Sequence, residues 1–152
     1  MSIATAQRRL LDTKDAGRIA LAPYLSQLCA ALGTSMVAEQ RSVSIACRVD
    51  GGTVSAAEAV SLGLIVTELV INALKHAFVD DCAPGQIGVT YDLSGDGWCL
   101  AVSDNGLGKR GGLETPGLGT AIIGALVGQL DGCLDVATGP DGTTVSISHR
   151  RN

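Results

Sequence analysis

TELVINALKHAF, residues 67–78, is an apolar run into which Glu68, Asn72, Lys75 and His76 are set. Each such group costs several kcal/mol if it is buried without a partner. Upstream, Ser55 can cap a helix, and Glu58 three residues on completes a capping box, so the spacing predicts one long helix from about Ser55 to Phe78. On that helix Glu68, Asn72 and Lys75 stand at i, i+4 and i+7, a single stripe. Leu62, Ile65, Leu69, Val70, Ala73 and Leu74 fill the other faces. The helix is therefore buried on several sides, and its polar stripe either pairs with neighbouring side chains or faces one common site.

On either side of this helix the period changes. SVSIACRV (42–49) alternates Val43, Ile45, Cys47 and Val49 at period two and ends in the turn signal DGG, as a strand does. Before it, Leu21, Leu25, Leu28 and Leu32 recur at helical spacing, with Pro23 in the first turn and Gly33 as a stop. After it, DDCAPG breaks the pattern and the strands QIGVTYDL and WCLAVSD follow, joined by SGDG. NGLGKRGGLETPGLG (105–119) reads as a loop, TAIIGALVGQL as a helix, and CLDVAT and TTVSISH as strands around GPDG. Most consecutive strands are joined by short turns. The expectation is an α+β fold: a two-layer α/β sandwich with a mixed, mostly antiparallel sheet and helices on one face.

Composition bounds the function. In 152 residues, 46% are apolar and 3% aromatic, enough for one core built from Ala, Val, Leu and Ile. A net charge of −4 and a pI near 5.0 argue against a non-specific binder of nucleic acid or anionic membrane. The five cysteines form no CxxC pair and lack a histidine at metal spacing, which disfavours zinc and a disulfide scaffold. Most lie in apolar stretches, where Cys acts as a small hydrophobe, and a reducing cytoplasm fits them. MSIATAQRRLLDTKD has no apolar signal region, and the nearest membrane-span candidate, 59–67, ends at Glu68, short of the roughly 18 to 20 apolar residues needed. Residues 5–12 look like the end of a helix, followed by the linker TKDAGR.

Two further motifs carry chemistry. Asp104 ends an apolar strand and is followed by NGLG. A carboxylate beside glycines that admit a flat ring suits the exocyclic amino group of a base, although DNG is also an ordinary turn. GLG at 117–119 opens a helix whose free N–H groups suit a phosphate. GxxxxGK[ST] is absent and the glycines do not follow the first strand, so neither a P-loop nor a dinucleotide fingerprint fits.

Taken together, TELVINALKHAF, VSDNGLG, GLGTAII and DGTTVSIS resemble the N, G1, G2 and terminal GT boxes of the Bergerat-type ATPases. That superfamily includes gyrase, heat-shock chaperones, histidine kinases and mismatch-repair proteins. More narrowly, SLGLIVTELVINALKHAF and RIALAPYLSQLCAAL resemble the ATP-binding catalytic domain of sensor histidine kinases of the HWE type or a related short-lid subgroup. The similarity covers residues 17–149.

The resemblance implies ATP and Mg²⁺ as ligands. Asn72 would hold the metal through its amide oxygen, and Glu68 would act catalytically beside it. Lys75 and His76 would face the phosphates. Asp104 would accept the adenine amino hydrogens, Gly106 and Gly108 would admit the ring, and Thr143 would add a hydroxyl near the base. Gly117, Leu118, Gly119 and Thr120 would bring backbone amides to the phosphates, and Lys109, with Arg110, would belong to the lid. The reaction implied is transfer of the γ-phosphoryl to a histidine on a dimerisation domain, for relay to a response regulator. On this reading residues 1–16 are the tail of the dimerisation and phosphotransfer helix with its linker, and 17–152 the catalytic domain, cytoplasmic and homodimeric in the full protein, with no nucleic-acid partner and no membrane insertion of its own. Neither histidine of the chain, His76 or His149, matches an acceptor position. An anti-sigma-factor serine kinase and a non-catalytic adaptor that docks response regulators are the alternatives.

Overall fold

A computed structural model describes residues 18–34, 43–76, 85–94, 97–106, 118–139 and 142–150. The order is β1 (Arg18–Ala20), α1 (Leu21–Leu32), β2 (Val43–Val49), β3 (Thr53–Ser55), α2 (Ala56–His76), β4 (Gly85–Ser94), β5 (Gly97–Asp104), α3 (Leu118–Gln129), β6 (Cys133–Gly139) and β7 (Gly142–Arg150). The expected helix end at 5–12 and most of its linker lie outside the described residues.

Five strands form one sheet in the order β2-β4-β5-β7-β6. β2 and β4 are parallel, as they must be when helix α2 carries the chain from one to the other, and the remaining pairs are antiparallel. One face of this sheet presents Val43, Ile87, Val89, Tyr91, Leu100, Val102 and Ile147, all buried. Against them lie Leu21, Leu25 and Leu28 of α1, Leu62, Ile65, Val66 and Val70 of α2, and Ile123 and Val127 of α3. The other face carries Arg48, paired with Asp92 at 3.6 Å on the surface. This is the expected two-layer α+β sandwich.

A second, two-stranded sheet departs from expectation. β1 pairs antiparallel with β3, and Arg18, assigned from sequence to the linker, is its first residue. The Arg18 guanidinium donates to the Thr53 carbonyl at 2.7 Å and to its hydroxyl at 3.3 Å. Gly51 and Gly52, both at positive φ, make the turn from β2 into β3, and the Gly52 carbonyl accepts the first N–H of α1.

The capping box holds. The Ser55 N–H donates to Glu58 Oε1 at 3.0 Å, and the Glu58 N–H to Ser55 Oγ at 3.1 Å. Helix α1 crosses α2 at Gly63, where a methyl group would overlap the Tyr24 ring. Over Ala56–Leu74, α2 has the length and apolarity of a membrane span, although the sequence run that is free of charge ends at Glu68. It is instead the central helix over the sheet, with Ala59, Ile65, Val66 and Val70 fully covered.

Cys29 is the small buried hydrophobe expected, whereas Cys133 is exposed. Interaction with Cys29, with help from Ser26, holds the Cys47 thiol below its ordinary range despite partial burial. The same contact, with burial, pushes Cys29 up. Cys82 lies outside the described residues.

Replacing Ser55→Ala removes one arm of the capping box and is expected to lower stability by about 1 kcal/mol, read as a shift in the urea midpoint at unchanged slope.

Candidate functional site

Topology brings the end of β5, the start of β7 and the end of α2 to one end of the sheet. β5 ends at Asp104 where β4 begins, since Ile87 pairs with Asp104, and β7 begins there, since Thr143 pairs with Asp104 on the other side. The chain leaves α2 to enter β4 at this end, and α3 starts after the segment that follows Asp104. α2 packs against both α3 and β5. The C-terminal half of α2, the end of β5 and the start of β7 therefore border one region, with α3 packed along α2.

Asp104 is the best-defined group in it. Its Oδ1 accepts the Gly106 N–H at 3.0 Å and the Thr143 N–H at 3.4 Å. Among the described residues no donor engages Oδ2. Burial pushes the carboxyl above its ordinary value, and the two backbone N–H groups only partly offset that. A half-buried carboxylate held on one oxygen by backbone donors presents its other oxygen in a fixed direction, as recognition of an amino group requires.

Glu68 and Asn72 are half-buried on α2, flanked by the buried Leu69, Val70 and Ala73. Among the described residues neither side chain has a hydrogen bond or an ion pair. The internal pairing left open by the sequence is not found there, and both groups remain available to a ligand. Of Lys75, His76, Leu118, Gly119 and Thr120 the structure describes only the helical backbone, with α3 opening at Leu118 as the GLG motif suggests. Gly108, Lys109, Arg110 and Gly117 lie outside the described residues.

Two residues of this region were not singled out by sequence. Gly142 has φ of 136°, and a methyl group there would run into the Asp104 carbonyl, so only glycine lets β7 start this close to Asp104. Its signal in the sequence is the glycine of DGTT, directly before Thr143. Asn105 is the other: its side-chain carbonyl accepts the Gln86 N–H at 2.7 Å, while its own N–H donates to the Gln86 carbonyl at 3.2 Å.

No group of three or more His, Cys, Asp or Glu side chains converges among the described residues to make a metal site of protein donors alone. A metal that keeps most of its shell from water and phosphate, as Mg²⁺ does, needs only one or two hard oxygen donors. The half-buried Asn72 amide, with no side-chain partner among the described residues, fits that requirement.

The chain is similar to known proteins. Residues 33–149 match the family described as "Histidine kinase-like ATPase domain". The chain is 31% identical over 133 residues to "Blue-light-activated histidine kinase 2" of Erythrobacter litoralis, covering 85% of this chain and 38% of that protein. It is 35% identical over 89 residues to "Sensor histidine kinase PdtaS" of Mycobacterium tuberculosis, covering 56% of this chain and 18% of that one. The chain thus spans well under half the length of either relative. Among solved structures, the histidine kinase domain of the Erythrobacter litoralis EL346 blue-light-activated kinase superposes with a TM-score of 0.81 at 26% identity, over 94% of this chain and 73% of that one.

Because the folded Asp104 carboxyl titrates above its unfolded value, its contribution to stability is full below the unfolded value and is lost as pH rises through the folded one. Asp104→Asn keeps an Oδ1 acceptor for both N–H groups and removes the buried charge. The ligand-free variant is expected to melt no lower than the parent at neutral pH, with any gain vanishing as pH falls toward about 4. Scanning calorimetry across that range checks it, and a lower neutral-pH midpoint would show that the charge stabilises the empty fold.

Proposed function

The chain belongs to the histidine kinase-like ATPase domain family, and on that premise we propose that it binds Mg·ATP as the catalytic domain of a sensor histidine kinase. The observation that carries the reading is the Asp104 carboxylate, pinned on one oxygen by the Gly106 and Thr143 amides at the end of β5. Asp104 accepts the adenine amino hydrogens, and Gly106, buried beside it, gives the ring access, as would Gly108. Thr143 supplies a hydroxyl at the edge of the base.

Asn72 holds the magnesium through its amide oxygen, and Glu68 orients or deprotonates a ligand next to it. Lys75, His76 and Lys109 place positive or donor groups near the phosphates, and the backbone of Gly117, Leu118, Gly119 and Thr120 adds the amides of a helix N-terminus. The bound ion supplies charge neutralisation on the phosphates. The protein's own part is to fix the nucleotide so that its γ-phosphoryl is presented to an acceptor, since phosphoryl transfer needs positioning and electrostatics more than covalent chemistry.

The acceptor is a histidine on a dimerisation and phosphotransfer domain joined before residue 17, from which the group passes to a response regulator. The full protein works as a cytoplasmic homodimer of the HWE type or a closely related subgroup. His149 does not serve as acceptor: its ring stacks on Trp98 and its Nδ1 lies 3.0 Å from the Asp131 carbonyl, at the end of β5 opposite to Asp104. A serine kinase acting on a partner and a non-catalytic adaptor are both less favoured, because the relatives named above are described as histidine kinases. The adaptor reading also predicts loss of Asn72 or Asp104, and both are present.

Titration with ATP or ADP and Mg²⁺ is expected to raise the thermal midpoint, since a ligand of the folded state alone stabilises it. Absence of a shift at saturating nucleotide would favour the adaptor. Asp104→Asn replaces an acceptor by a donor facing the adenine amino group and is expected to weaken binding about 10- to 150-fold by calorimetry. Asn72→Ala should weaken Mg·ATP far more than metal-free nucleotide, and equal losses would rule out its role as metal ligand.

A further inference from the structure

The β4–β5 ladder ends in an irregular rung. Ile87 pairs with Asp104, so Gln86 and Asn105 form the next antiparallel pair. Opposed residues of the hydrogen-bonded type exchange two backbone bonds, each N–H to the other's carbonyl. Here one of the two is regular: the Asn105 N–H donates to the Gln86 carbonyl at 3.2 Å. The return bond is not backbone to backbone. The Gln86 N–H donates to Asn105 Oδ1 at 2.7 Å, the shorter of the pair.

That substitution bears on Asp104. In a trans peptide the carbonyl of Asn105 and the N–H of Gly106 point in opposite directions and turn together. With the Asn105 carbonyl in the ladder, directed at β4, the Gly106 N–H would be directed away from β4 along the sheet. Its actual partner is Asp104 Oδ1, at 3.0 Å. The side chain of Asn105 fills the rung, and the 105–106 peptide is released to cap the carboxylate. Gly106 is buried while Asn105 is exposed, and the Asn105 amide oxygen is committed to the Gln86 N–H.

We propose that Asn105 is a positioning residue for base recognition: by taking over the last ladder rung with its side chain, it turns the Gly106 N–H onto Asp104 and aims the free carboxylate oxygen at the 6-amino group of a purine. This rests on the assignment of Asp104 as the adenine acceptor. It assigns part of the site's selectivity for 6-aminopurines to a residue whose amide oxygen is spent on the neighbouring strand. The chemistry asked of position 105 is a planar acceptor of Asn or Asp length, and a hydroxyl or methyl side chain does not reach the Gln86 N–H.

The test compares calorimetric affinities of the whole chain for ADP and for purine riboside diphosphate, which lacks the 6-amino group. The parent protein is expected to prefer ADP. Asn105→Ala is expected to reduce that preference about 3- to 10-fold by weakening ADP alone, leaving the purine riboside diphosphate affinity in place. Asn105→Asp retains the acceptor and, measured at about pH 8 so that both carboxyls are ionised, should retain the preference. If Asn105→Ala does not fold, Asn105→Ser gives the same reading. Equal weakening of both nucleotides, or an unchanged preference in Asn105→Ala, overturns the proposal while leaving the Asp104 assignment standing. A parent protein that does not distinguish the two nucleotides overturns the Asp104 assignment, and the proposal with it.

Discussion

Helix α2 has to satisfy two demands that pull against each other. It is the central element of the helical layer, with Ala59, Ile65, Val66 and Val70 fully covered and β5, α1 and α3 packed around it. It also carries Glu68 and Asn72 half-buried and, among the described residues, without a side-chain partner. Both can hold only if the polar stripe runs along the border of the apolar layer. The topology supplies that border, because α2 crosses from β2 to β4 and reaches the sheet end where Asp104 stands. The capping box at Ser55 and Glu58 fixes where the helix begins, and so fixes which residues fall at that end.

The site is asymmetric in how it is held. Around Asp104, strands and backbone donors define the carboxylate closely, and Gly142 lets a neighbouring strand start against it. Glu68 and Asn72, by contrast, stand on a helix. On the proposed reading, a well-defined carboxylate beside groups spread over separate elements would suit a ligand recognised at one end and reacted at the other. The burden of specificity then falls on a few residues at the end of one strand.

Much of this was legible in the sequence because periodicity is a local signal. The long helix, α1, and the alternating strands β2, β4, β5, β6 and β7 all announced themselves through it, and so did the cap at Ser55. β1 and β3 did not, since three residues cannot show a period and their pairing joins Arg18 to Ser55 across the length of α1 and β2. The polar stripe and the Asp104 motif were readable as residue types at a spacing. The clamp on Asp104 was not, because it depends on the β5–β7 register that brings Thr143 opposite, and the sequence prescribes no such register locally. Asn105 was hidden for the same reason: a DNG turn looks alike whether or not its amide completes a ladder. The apolar length of α2 misleads in the other direction, since composition alone cannot tell a core helix from a span.

Trp98, the chain's single tryptophan, occupies the opposite end of β5 from Asp104, stacked at 5.8 Å on Tyr91 and at 6.0 Å on His149. The two residues lie on the same face of the strand, six positions apart, which at about 3.3 Å per residue separates them by roughly 20 Å. The indole is thus a built-in optical reporter of the sheet's integrity, remote from the pocket. Its emission follows unfolding of the sheet, and it stays silent to occupancy unless binding at one end of the strand is transmitted to the other.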